Sequence, residues 1–270
     1  MDNMQQYHTI LIEDSVQVKT IRLNRTEVHN AMNEEMISEL TQAFQDIASS
    51  INFPRAVVLR GNGKSFCSGA DLNYMKGIAG FGFEENVKDG QNLANLFLSI
   101  YQCPVPVVSV VHGSAFGGAN GLLAACDIVI AEENTTFAFS EVKLGIAPAT
   151  IAPFVIKRIG EFGAKELMLT GKRFTADEAK HWHLVNFVVP DGEIEEQLQQ
   201  IINELKTAAP GAVRETKKLI GEIMQESDLN QNLDHTSKLI AQLRASEEGQ
   251  EGMAAFLEKR KAVWNQSGKN

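Results

Sequence analysis

The chain has 270 residues, 44% of them hydrophobic and 22% charged, with a formal net charge of -9. A chain of this length buries most of its apolar surface without staples, and no stretch is apolar for long enough to cross a bilayer. The acidic balance argues against a general nucleic-acid role. With three cysteines (Cys67, Cys103, Cys126) in neither metal-ligand nor disulfide spacing, and no signal-like pattern from Met1 to Asp14, a cytoplasmic, soluble protein is expected.

In chain order, Val16 to Leu23 alternates as a strand does and ends at Asn24-Arg25. Met36, Ile37, Leu40, Phe44 and Ile47 recur at helical spacing, with Asn33 placed to cap them. Ala56 to Leu59 and Val105 to Val111 are short apolar runs stopped by Gly61 and Gly113, and Ile128 to Ile130 is a third. Such runs read as buried strands. Gly117 to Cys126 is a small-residue helix candidate, and Thr175-Ala-Asp-Glu178 matches a capping box.

Strands alternating with helices imply an α/β body with parallel character. From about Glu193 amphipathic helices take over, separated by Pro210, Gly221 and Glu247-Glu248-Gly249. The expected division is an α/β core over 1–195 and a helical region over 196–270. No sequence repeat at solenoid periods is present.

Three patterns carry no chemistry. Gly63-Lys64-Ser65 follows a strand, but a phosphate-binding loop needs glycine where Val58 stands. Gly61-Asn-Gly63-Lys-Ser-Phe66 lacks the third glycine of a dinucleotide fingerprint. His181-Trp182-His183 has no further ligand near it in sequence, so no metal is expected.

Two segments share a design of strand, small residues and helix start: Ser65-Phe-Cys-Ser-Gly-Ala-Asp71-Leu72 and His112-Gly-Ser-Ala-Phe-Gly-Gly-Ala-Asn-Gly121. Small residues let a ligand approach backbone N–H groups that a helix start leaves unpaired. Two such turns converging would make an oxyanion hole. Close helix–strand packing would use glycine in the same way.

The stretch from Asn24 to Pro190 resembles the crotonase (enoyl-CoA hydratase/isomerase) family. The matching residues are Asn24-Arg25 with Asn30-Ala31, Phe66-Cys-Ser-Gly-Ala-Asp71, Ala115-Phe-Gly-Gly118 with Ala125-Cys-Asp127, and Phe139-Ser-Glu141-Val-Lys-Leu-Gly145. Glu251 to Lys261 matches as well. The resemblance implies a crotonase-type ββα superhelix with a C-terminal helical region that assembles homotrimers or homohexamers. It implies an acyl-CoA thioester as substrate, with coenzyme A part of that substrate and no separate cofactor. The N–H groups of Ala70 and Gly118 would hold the thioester oxygen. Val28, Ser68, Asp71, Leu72, Gly117 and Gly121 would line the site. Phe256 and Lys259 match positions that approach the nucleotide end of coenzyme A, often from a neighbouring subunit.

Hydratases of the family commonly carry two glutamates facing the substrate. The second falls on Glu141, and the first would fall on Gly121, which moves no proton. A single glutamate also resembles the family's Δ3,Δ2-enoyl-CoA isomerases. Ser140 to Phe154, Ile159-Gly-Glu161 and Leu169 to Phe174 resemble bacterial methylglutaconyl-CoA hydratases of leucine breakdown, glycine at position 121 included. The expected reaction is therefore hydration of 3-methylglutaconyl-CoA, with Glu141 handling the proton and Lys143, Lys157 or Arg158 pairing the substrate's second carboxylate. A non-catalytic acyl-CoA-binding protein and an RNA-binding relative are the readings of other classes.

Overall fold

The computed structural model describes residues 7–15, 17–226 and 228–265. Val16, which opens the first expected strand, and residues 1–6 of the N-terminal segment lie outside them. The chain begins with β1 (Ile10–Asp14), which the sequence pattern does not mark, followed by β2 (Val18–Leu23). Helix α1 (Glu34–Ala48) starts where the side chain of Asn33 accepts from Met36 N at 3.0 Å, a cap that contributes about 1 kcal/mol. All five apolar residues of its stripe are buried.

Then come β3 (Ala56–Gly61), α2 (Leu72–Ile78) and α3 (Phe83–Tyr101). The next are β4 (Val107–Val111), β5 (Ser114–Phe116), α4 (Ala119–Ala125), β6 (Ile128–Glu132) and β7 (Thr136–Ala138). A short 3-10 turn, Glu141–Leu144, precedes α5 (Ala152–Thr170), which is broken at Gly160. β8 (Arg173–Thr175) runs into α6 (Ala176–His181), whose capping box forms: Glu178 N donates to Thr175 Oγ1, and Thr175 N to Glu178 Oε2. β9 (Phe187–Val189) completes the strands.

Six strands form one sheet in the order β1-β2-β3-β4-β6-β9, antiparallel between β1 and β2 and parallel elsewhere. Its central strands are covered on both faces, so β3 and β4 are apolar almost throughout. A second sheet, β5-β7-β8, is extended by two isolated parallel bridges, Cys67 with Ala115 and Met32 with Ala70. Each repeat thus runs from a long strand to a short pairing segment, then to a turn and a helix. The two glycine-bearing turns occupy the same step of successive repeats.

The chain forms two compact units. Residues up to Cys103 together with Val107–Leu198 hold both sheets, and Pro104–Pro106 with the residues from Gln199 onward form the second. The boundary falls inside α7 (Ile194–Thr207), and α8 (Pro210–Ile223), α9 (Leu229–Ala245) and α10 (Glu247–Leu257) follow. Within the second unit the Glu248 carboxylate accepts from Gly211 N and Ala212 N at 2.9 and 2.8 Å. This places an anion at the start of α8, where it offsets the helix dipole. No helix among the described residues is long and apolar enough to cross a membrane.

Candidate active site

The first turn is held from both sides. Met32 N donates to Gly69 O at 2.7 Å and Asp71 N to Met32 O at 2.8 Å, which leaves the N–H of Ala70 between them without a partner among the described residues. Gly69 takes φ +100°, and a Cβ there would lie 3.0 Å from Phe116 O. Glycine therefore allows the first turn to lie directly against the second. The Asp71 side chain caps α2 through Asn73 N and Tyr74 N and pairs with Arg25 at 3.0 Å. The hydrogen bond from Tyr74 N, with those from Asn73 and Arg25, holds its carboxyl below the usual carboxylate range against an opposing effect of burial. The Asp71 side chain is thus structural, and its N–H is taken by Met32 O. Ser68 Oγ donates to Val28 O at 3.3 Å, joining the two segments assigned to coenzyme A, and Leu72 beside them is exposed.

The second turn leaves β5 at Gly117, whose φ of +53° favours glycine and whose N–H donates to Ala138 O at 2.8 Å. The N–H of Gly118, like that of Ala70, has no partner among the described residues. Met32, paired to Ala70 through its backbone, reaches toward Gly118 with its side chain: a Cβ at Gly118 would meet Met32 Cε at 2.7 Å. The two unpaired donors therefore flank one residue.

Glu141 lies on the 3-10 turn after β7, and a Cβ at Gly117 would stand 3.4 Å from its Oε1. Its Oε2 is buried with no hydrogen-bond partner among the described residues. Burial pushes the Glu141 carboxyl above the ordinary carboxylate range, against a smaller opposing hydrogen bond from its own backbone. A desolvated carboxylate beside two unpaired amide donors can take a proton while the donors hold a developing oxyanion.

Comparison with known proteins shows the family. The model of the enoyl-CoA hydratase/isomerase family matches residues 13–267. The chain belongs to the enoyl-CoA hydratase/isomerase family. It is similar to the short-chain-enoyl-CoA hydratase of Clostridium acetobutylicum, 32% identical over 260 residues that cover 94% of this chain and 96% of the relative. An enoyl-CoA hydratase from Shewanella pealeana is 37% identical with a TM-score of 0.91, over 96% of this chain and 97% of that one. Pseudomonas aeruginosa AtuE is 35% identical with a TM-score of 0.92, over 96% and 100%. The crotonase fold expected from the sequence is thereby shown, and an acyl-CoA thioester is the substrate class of the family.

Position 121 is closed. A Cβ on Gly121 would meet Ile151 Cγ2 at 2.5 Å and Phe97 Cζ at 2.7 Å, and both side chains are buried. Two apolar groups fill the place where a second glutamate would begin. The sequence pattern does not mark Phe97, because the apolar spacing of α3 is interrupted by Gly90, Asn92 and Asn95.

The three cations proposed for a substrate carboxylate separate clearly. Arg158 is a correction: its guanidinium donates to Cys126 O, Leu184 O and Asn186 Oδ1 at 2.6, 2.9 and 2.8 Å, and so holds the chain rather than a ligand. Lys143 is exposed on the Glu141 turn. Lys157 is exposed and sits 5.3 Å over the Tyr101 ring, which packs on Phe154 and through it on Phe97. Phe256 and Lys259 belong to the second unit and are both exposed. Among the described residues His8, Glu35 and Glu39 come close enough for a metal, yet Glu39 already accepts from His8 N, Thr9 N and the Thr9 hydroxyl. That carboxylate fastens β1 to α1.

Proposed function

We propose that the protein hydrates an enoyl-CoA, with 3-methylglutaconyl-CoA as substrate and 3-hydroxy-3-methylglutaryl-CoA as product. The observation that carries the reading is the Glu141 carboxylate, half-buried and unpaired at Oε2, set against Gly117 next to the unpaired N–H of Gly118. Glu141 takes a proton from water as the water oxygen bonds to C3. The electron pair of the double bond moves onto the thioester oxygen, held by Ala70 N–H and Gly118 N–H. The enolate then returns its electrons to C2, which takes the proton back from Glu141. One carboxylate serving both steps delivers H and OH to the same face of the double bond.

The substrate assignment is supported by the sequence likeness from Ser140 to Phe174 and by Lys157, linked to the site wall through Tyr101, Phe154 and Phe97. Coenzyme A would lie along Val28 and Ser68 to Leu72. The exposed Ile220, Met224, Leu229 and Leu233 on the C-terminal helices support assembly as a homotrimer or homohexamer, which sedimentation at working concentration tests.

The deciding experiment is product mass after incubation with 3-methylglutaconyl-CoA, crotonyl-CoA and a 3-enoyl-CoA. Gain of one water on the methylglutaconyl thioester, much faster than on crotonyl-CoA, is expected. Conversion of the 3-enoyl to the 2-enoyl thioester without mass change would replace this reading by an isomerase. The closed wall at Gly121 favours that second reading, since one carboxylate suffices to move a proton between two carbons.

A further inference from the structure

Asn120 is fully buried on α4, between Ala119 and Gly121 in a helix otherwise made of small and aliphatic residues. Its Nδ2 faces three carbonyls: Ala138 O at 2.9 Å, and Ala115 O and Gly117 O at 3.3 Å each. Because all three neighbours are acceptors, the nitrogen and not the oxygen must point at them. Its Oδ1 is left buried with no partner among the described residues. Asn is a poor helix former and an unpaired buried oxygen is unfavourable, so stability alone does not account for this residue.

The carbonyl of Gly117 and the N–H of Gly118 belong to one peptide unit. That unit is planar and trans, so its C=O and N–H point in opposite directions, and fixing one fixes the other. Gly117 O accepts from Asn120 N at 2.9 Å as well as from Nδ2. Ala138 O, the strongest partner of Nδ2, also accepts from Gly117 N. The side chain therefore ties the carbonyl end of the donor peptide to the end of β7, from which the chain continues to Glu141. A hydrogen bond at the carbonyl also polarises the peptide and strengthens its N–H as a donor.

We propose that Asn120 is a positioning residue for the reaction: it aims and polarises the Gly118 N–H toward the thioester oxygen while touching neither substrate nor water. The inference rests on the oxyanion role of Gly118 in the proposed function. Its test uses the full chain and a 4-dimethylaminocinnamoyl-CoA thioester, a probe whose absorption band moves to the red as its carbonyl is polarised. Asn120→Leu keeps the size of the side chain and removes the grip. Asn120→Ser keeps one donor, and Glu141→Gln is the control.

The wild type and Glu141→Gln are expected to give the same red shift. Asn120→Leu is expected to lose most of it, and Asn120→Ser part. In enoyl-CoA turnover Asn120→Leu should lower kcat on the order of ten- to a hundredfold, below the loss expected on removing a donor outright. Its KM should stay within about threefold, because ground-state binding is largely kept. A full red shift and wild-type kcat in Asn120→Leu overturn the proposal. So does weaker probe binding with an unchanged shift per bound molecule, the mark of a purely structural role. Should Asn120→Leu not fold, Asn120→Ser decides by the same criteria. A wild-type red shift without turnover of any enoyl-CoA would refute the hydratase reading and leave Asn120 judged by the shift alone. Absence of a shift in the bound wild type would overturn both.

Discussion

The two turns proposed as oxyanion donors are held by different means. Around Ala70 side chains add to the Met32 main-chain bonds: Arg25 on Asp71, Asp71 on the start of α2, and the Cys67 thiol, 3.8 Å from Gly69 O. Ala70 itself is exposed. Around Gly118 there is no side-chain cap and no ion pair among the described residues. There the backbone is held by steric closure at Gly121, by its own hydrogen bonds and by one amide. One turn is fastened electrostatically and open on its ligand side. The other is wedged into the core beside the Glu141 carboxylate. Charge and pH should therefore perturb the first, and side-chain volume the second.

The largest effect is expected at the second turn's neighbour. Glu141→Gln should lower kcat by about 10²- to 10⁴-fold, the usual contribution of general acid–base catalysis, with acyl-CoA affinity measured by calorimetry nearly unchanged. Because burial raises the Glu141 carboxyl, its charge opposes folding. The variant should therefore be the more stable protein at neutral pH. That advantage should shrink as pH falls through the raised pKa and vanish below the ordinary carboxyl range. Wild-type activity should fall over the same window as the base is protonated. Equal denaturation midpoints at all pH values would contradict the burial argument.

Gly121→Glu comes next. It forces a side chain against Ile151 and Phe97 and buries a charge, which should destabilise the fold by about 3 kcal/mol or more without accelerating hydration. Thermal unfolding and turnover check it together, and a stable, faster enzyme would show that the second turn is looser than described.

Arg25→Met probes the first turn. It leaves the Asp71 carboxylate buried without its cation, at about 2–4 kcal/mol. Asp71 has a lowered pKa, so its contribution is complete above the unfolded carboxyl pKa and lost as pH falls through the folded one. The gap between variant and wild type in urea should therefore close toward acid pH. Smallest is Cys67→Ala, worth about 1 kcal/mol and leaving kcat within about threefold, because Met32 N still holds Gly69 O. Burial pushes that thiol up to about 12, so alkylating reagents should leave it unmodified in the folded protein.

Much of this architecture is legible in the sequence where the physics is local. The Asn33 cap, the Thr175–Glu178 box and the apolar runs of β3, β4 and β6 each depend on residues close together in the chain. The short strands β5, β7 and β8 have three residues each and exist only through partners far away, so no alternation marks them. The ββα repeat likewise lies in the hydrogen-bond ladder and not in residue identity. In the site, the glycines and Glu141 are read from motif likeness. The closure by Phe97 and Ile151, the capture of Arg158 and the amide grip of Asn120 depend on packing that a linear pattern does not encode.

One feature of the second sheet bears on how such a chain can change. Both proposed donors are main-chain atoms, placed by the bridge of Met32 with Ala70 and by the pairing that carries Cys67, Ala115 and Phe137 side by side. No codon specifies an amide hydrogen, so no single replacement other than proline deletes one of these donors. Heritable variation therefore falls on what surrounds them: whether position 121 bears a carboxylate, what stands at 97 and 151, and which cation waits farther out. The electrophile clamp is inherited with the fold, and the choice of reaction is left to a handful of side chains.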